Sequence, residues 1–194
     1  KLTFKYHIEE LTKKISRAIG LLYKIKPFVS QKILTDLYYA IIYPFLLYRN
    51  LVWGNAGITN LAALHILQKK FVRLATNNNQ QNFLTYQREH TPPLFKDLKI
   101  LTIYDIFKLQ LATFIYESIN NIGPSSNIIN FTRTNEVHSY NTRYAHAESF
   151  FQNFGRTTRY GLKSLQIEGT HLWTTIPLDI KEKHYKNFLQ NLYA

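Results

Sequence analysis

The sequence predicts a mostly α-helical fold: a bundle of amphipathic helices followed by a small, irregular C-terminal α(+β) subdomain. Three observations carry that expectation. Apolar residues recur at spacings of three and four from Ile8 to about Asn120. Pro, Gly and Asn clusters interrupt these runs at Pro27, Pro44, Asn55 to Gly57, Pro92-Pro93 and Gly123-Pro124. From Asn127 to Arg159 the periodicity fades. At 194 residues and 45% hydrophobic, the chain is long enough and apolar enough to bury a core.

The first helix is expected from Phe4 to Lys26. Ile8, Leu11, Ile15, Ile19 and Leu22 fall within an arc roughly 80° wide. Lys13, Arg17 and Lys24 fall opposite them, together with Gly20, and Pro27 ends the helix. Ser30 is a candidate N-cap for a second helix that presents Leu34, Leu37, Tyr38 and Ile41 and is kinked or broken at Pro44. Thr59 can cap a third, with Leu61, Leu64, Leu67, Phe71 and Leu74 inside. On that helix His65, Lys69 and Arg73 recur every four residues as a polar stripe, with Lys70 beside them.

Asn77 to Asn82 reads as a polar loop, and Leu94 to Leu98 as a short helix. Thr102 with Asp105 resembles a capping box opening a helix that runs to about Asn120. Gly123 to Ser126 is the best linker candidate. Ser164 to Ile167 alternates and predicts a short strand, and Tyr185 to Leu192 a terminal helix. Trp53 and Trp173 sit in apolar surroundings and read as core anchors.

The net charge of +12 is uneven. Residues 1–73 hold nine Lys and three Arg against three acids, whereas residues 74–126 balance to zero. Such a field favours a polyanionic partner. The chain has no Met, so it reads as a piece of a longer polypeptide. Without Cys it has no disulfide framework and no Cys/His zinc site, and an intracellular protein is the simpler reading. Its longest apolar run, Leu37 to Tyr48, is shorter than the ~20 residues a membrane span needs. Neither a Gly-x-Ser-x-Gly turn nor a Gly-rich phosphate loop occurs, and the acids are scattered where two-metal nucleotidyl transfer needs them clustered.

The stretch LYYAIIYPFLLYRNLVWG, Leu37 to Gly54, resembles a segment downstream of the polymerase palm in non-LTR (LINE-type, jockey-like) retrotransposon reverse transcriptases. Flanking segments agree in order: Lys1 to Val29, LQKKFVRLAT (Leu67 to Thr76), HTPPLFKDLKILTIYDIFKLQ (His90 to Gln110), HSYNTR (His138 to Arg143) and GTHLWTTIPLDIK (Gly169 to Lys181). The resemblance implies a thumb-like segment over 1–76, a helical connector over 77–126 and a C-terminal subdomain over 127–194. It implies a grip on RNA or an RNA/DNA template-primer during target-primed reverse transcription. This stretch would contribute no catalytic residue and no cofactor, since Mg²⁺ would belong to a palm upstream of Lys1. The implied partners are RNA, DNA and the palm and fingers of the parent polymerase, with no membrane. The implied location is the nucleus, after a cytoplasmic ribonucleoprotein stage. One departure is Thr174, where the family usually has Asn.

Three sets of residues are candidate nucleic-acid contacts. Lys13, Lys14, Arg17 and Lys24 form the first, and Lys69, Lys70 and Arg73 the second. Tyr140, Asn141, Arg143, Arg156, Arg159 and Lys163 form the third, where rings beside guanidinium groups could stack on bases. Each has a plainer alternative, a solvated helix face for the first two and internal Tyr–Arg packing for the third. At the level of the whole chain the alternatives are a stand-alone helical binding module, a protein–protein interaction module and a diverged remnant.

Overall fold

The structure, a computed structural model, describes residues 4–76, 91–122 and 164–181. Helices dominate these residues, and no strand occurs among them. The chain divides into two compact units, Lys1–Phe107 and Lys108–Ala194. The expected boundary at 76 borders a stretch outside the described residues, and the boundary at 126 and the Gly123 to Ser126 linker lie outside them.

In the first unit, α1 spans Lys5–Ile25 and buries Ile8, Leu11, Ile15, Ala18 and Leu22. A 3₁₀ turn, Lys26–Phe28, contains Pro27 and ends the helix where the missing N–H requires. Ser30 then caps α2 (Gln31–Leu37), its Oγ accepting from the Ile33 N–H at 3.4 Å.

The break expected at Pro44 takes another form. A π-helical turn, Tyr38–Ile42, precedes it, and the Tyr43 N–H donates to the Tyr38 carbonyl. The wider turn frees the chain from the i→i−4 bond that Pro44 cannot make, and α3 (Tyr43–Leu47) restarts with Pro44 in its first turn. It also corrects the expected core. A π turn advances each residue by less than 100°, so Ile42 and then Leu46 continue the face begun by Leu34 and Tyr38. Ile41, expected inside, is 40% exposed.

α4 (Asn50–Trp53) sets Trp53 in the core, its Nε1 donating to the Tyr48 carbonyl at 2.8 Å. α5 (Ile58–Thr76) packs chiefly on α1 and buries Leu61, Leu64, Leu67, Phe71, Val72 and Leu74. Its N-terminus is held by Gly57, whose carbonyl accepts from the Asn60 and Leu61 N–H groups. Thr59 lies inside the first turn of α5 and so is not the Ncap.

α6 (Thr91–Asp97) carries Pro92 and Pro93 in its first turn, where absent N–H groups cost nothing. It closes with Lys99 at φ 54° and the Ile100 N–H donating back to the Phe95 carbonyl. α7 (Ile103–Ile119) opens at Thr102, whose Oγ1 accepts from the Asp105 N–H at 3.3 Å. The return bond differs from a capping box: the Thr102 hydroxyl donates to Asp105 Oδ2 at 2.6 Å. Aspartate is one methylene shorter than the usual Glu partner.

In the second unit the described part of α7 is apolar nearly all round, with Leu109, Leu111, Ala112, Phe114, Ile115 and Tyr116 buried. The expected strand at Ser164 to Ile167 is the start of a helix, α8 (Leu165–Thr175). Ser164 Oγ accepts from the Ile167 N–H at 3.4 Å. Four alternating residues are too few to outweigh a Ser cap. Trp173 is buried as expected, and Lys181 of α9 (Leu178–Lys181) lies with Nζ 5.4 Å from its ring. The expected terminal helix from Tyr185 lies outside the described residues.

Candidate nucleic-acid interface

Helix α1 positions the first candidate set. Because its apolar arc faces the core, Lys13, Lys14, Arg17 and Lys24 emerge on the outside, and all four are exposed. They are not equally available. Lys13 donates to Glu10 Oε1 at 2.8 Å. That hydrogen bond and the charge behind it hold the Glu10 carboxyl below its ordinary range and the Lys13 ammonium above its own. Lys5 faces Glu9 at 3.8 Å. Lys14, Arg17 and Lys24 make no salt bridge with any described residue.

Gly20 lies on this side of α1, between Arg17 and Lys24. A Cβ built there would meet nothing within 4 Å. A helix-interior Gly costs roughly 1 kcal/mol against Ala, and nothing in the surrounding packing compensates for it.

Helix α5 treats its basic residues differently. His65 stacks on Phe95 with ring centroids 5.8 Å apart, and its ring tilts against Tyr104 at 5.3 Å. That flank therefore packs against α6 and the start of α7. Loss of water, and after it the charge of Lys69, lowers the His65 pKa below its ordinary value. Lys69 and Arg73 are half-buried, and Arg73 Nε is sealed from solvent without a hydrogen-bond partner among the described residues. Lys70 is exposed. The expected free polar stripe is thus mostly a packing flank.

One member of each basic set can be placed against the other helix or along it. An open cleft of about 430 Å³ lies between α1 and the first turns of α5, lined by Lys5, Glu9, Thr12, Lys13, Thr59 and Asn60 among others. Lys13 thus borders the beginning of α5, and Lys70 lies ~15 Å further along that helix from Asn60. Tyr140, Asn141, Arg143, Arg156, Arg159 and Lys163 lie outside the described residues.

Sequence reasoning missed the residue that holds α5 in place. Gln68 is buried, and its Nε2 donates to the Tyr38 hydroxyl at 2.8 Å and to the Leu101 carbonyl at 3.0 Å. Its Oε1 accepts from the Ile103 N–H at 2.8 Å. One side chain thereby ties α5 to the π turn and to the open end of α7. Tyr38 stacks on Phe71 at 4.8 Å, and burial pushes its hydroxyl pKa far up. A signal was present: Gln68 lies four residues after Leu64 and three before Phe71, at a core angle.

Among the described residues no group of three His, Asp or Glu is placed to hold a metal ion. No described helix is long and apolar enough to cross a membrane. Compared with protein-family models, curated proteins and solved structures, the chain matches none.

Proposed function

We propose that this chain grips RNA or an RNA/DNA template-primer duplex as the thumb and post-thumb part of a non-LTR retrotransposon RNA-directed DNA polymerase. In this reading it supplies charge and shape and makes or breaks no bond, and catalysis and Mg²⁺ belong to a palm elsewhere in the polypeptide. The observation that carries the reading is the outer face of α1, where Lys14, Arg17 and Lys24 stand exposed, without a salt bridge to any described residue, around the bare backbone position of Gly20. Cations so placed can neutralise phosphates and release counterions, which favours backbone contact over base reading. The order of the quoted motifs supplies the family and, with it, a nuclear site of action after a cytoplasmic ribonucleoprotein stage. Exposed Ile33, Ile41, Tyr48 and Val52 offer apolar surface against which a palm could pack.

Those same apolar side chains favour a second reading, a protein–protein interaction module. A salt series separates the two. Binding of a fluorescent RNA/DNA hybrid, followed by anisotropy, is expected to weaken steeply with salt. Changing Lys14, Arg17 and Lys24 together to Ala should reduce the slope of log K against log salt by about 2 to 3. A folded wild-type chain without salt-dependent binding would sink the polymerase reading and leave the interaction module.

A further inference from the structure

The C-terminal end of α1 carries features that phosphate binding does not use. Tyr23 is 69% exposed and Phe28 is 85% exposed, while Trp53, Tyr38 and Phe71 of the same unit are sealed in its core. The two exposed rings bracket Lys24 in sequence. Pro27 lies within the 3₁₀ turn that presents Phe28 and restricts its backbone. One turn before Lys24, Gly20 leaves open space on the helix surface. Gly20 therefore leaves one bare backbone position between Arg17 and Lys24, beside the 64% exposed Leu21, with two solvent-facing rings further toward the C-terminal end.

We propose that this end of α1 binds unpaired nucleotides, with the sugar–phosphate backbone crossing Gly20 between Arg17 and Lys24 and bases stacking on Tyr23 and Phe28. Charge complementarity selects the occupant. Residues 1–73 carry twelve basic residues against three acids, so the partner is a polyanion. Exposed rings reward a polyanion that also offers free flat faces, which a single strand does and a closed duplex does not. The inference rests on the nucleic-acid reading above and deepens it by naming the strand state held at this end.

The test compares two labelled probes on the full chain, a short unstructured RNA strand and a blunt RNA/DNA hybrid of equal length. Tyr23→Ala with Phe28→Ala is expected to weaken the single strand by about tenfold or more, to leave its salt slope unchanged, and to cost the hybrid less than about twofold. Gly20→Gln, in a position where Gln suits a helix better than Gly, is expected to weaken the single strand several-fold by blocking the backbone. Circular dichroism and urea midpoints check that the variants fold.

Single-strand affinity within about twofold of wild type in the double variant overturns the stacking site, as does an equal loss on both probes. Wild-type affinity in Gly20→Gln overturns the backbone path. Capture on phosphatidylserine vesicles that the ring changes abolish, with single-strand affinity intact, overturns it in favour of a lipid surface. If the hybrid binds wild type with its full salt slope while the ring variant holds the single strand normally, this inference alone falls. If wild type binds neither probe in a salt-dependent way, the functional reading falls with it.

Discussion

On α1 the cations Lys14, Arg17 and Lys24 stand in solvent, whereas on α5 Lys69 and Arg73 are half-buried and His65 lies against Phe95 and Tyr104. Both helices carry basic residues at helical spacing opposite or beside an apolar stripe. What separates them is where their neighbours lie. α1 packs on one side, chiefly against α5, so its outer face stays wet. α5 also meets α2 and α6, so a flank that would be polar on a lone helix becomes an interior seam. Charge periodicity alone therefore does not report a binding face; the packing around the helix decides it.

The largest effect that would sharpen this contrast lies at Gln68. Replacing it with Leu keeps much of the volume and removes three hydrogen bonds. The Ile103 N–H, the Tyr38 hydroxyl and the Leu101 carbonyl then lose a partner in or near the core. A loss of about 3 kcal/mol in urea unfolding is expected, since each stranded buried group costs about 1–3 kcal/mol and some will find water. The α1 charge change should stay within about 0.5 kcal/mol of wild type in the same assay. A stable Gln68→Leu variant would remove the case for α5 as the structural helix of the pair.

The parts of the fold legible in the sequence were those set by local chemistry. The inward face of α1 followed from its spacing, and Ser30 and Thr102 followed from the wish of a helix N-terminus for an acceptor oxygen. The parts that escaped depend on distant neighbours or on competing local signals. Pro44 announced a disturbance, but only the burial of Ile42 in place of Ile41 reveals that a π turn absorbed it. At Ser164 the alternation and the cap pointed to different structures, and the cap prevailed. For the candidate site, the outward placement of Lys14, Arg17 and Lys24 was legible because it needs only the helix period. The burial of His65 was not, because it needs Phe95 and Tyr104, distant in sequence.

A pair of glycines gives the next test of surface against interior. A methyl group at Gly54 would lie 2.6 Å from the Asn50 carbonyl oxygen and 2.7 Å from the Phe107 ring, whereas one at Gly20 meets nothing within 4 Å. Gly54→Ala is therefore expected to cost about 1–3 kcal/mol through overpacking. Gly20→Ala is expected to stabilise the chain by up to about 1 kcal/mol, the helix propensity that Gly forfeits. Equal effects at the two sites, read from denaturant midpoints, would mean that the outer face of α1 is covered after all.

The smallest effect concerns pH and again divides the two helices. His65 faces Phe95 on α6, Tyr104 and Asp105 on α7, and Gln68 and Lys69 on its own helix. Burial and the Lys69 charge lower its pKa from an ordinary value of 6.5, and the opposing pull of Gln68 and Asp105 does not reverse the shift. The folded state thus prefers the neutral ring. The unfolded chain takes up a proton first, so the contribution of His65 is present above its ordinary pKa and is lost as pH falls through the lowered folded value. Urea midpoints measured between about pH 7 and about pH 5 should fall more steeply for wild type than for His65→Phe, which keeps the ring against Phe95 and removes the titrating group. Partial exposure of His65 screens the effect and keeps it below that of the Gly54 change. Parallel pH profiles for the two proteins would show that His65 is solvated like the α1 cations, and the distinction between a packed flank on α5 and a wet face on α1 would collapse at that residue.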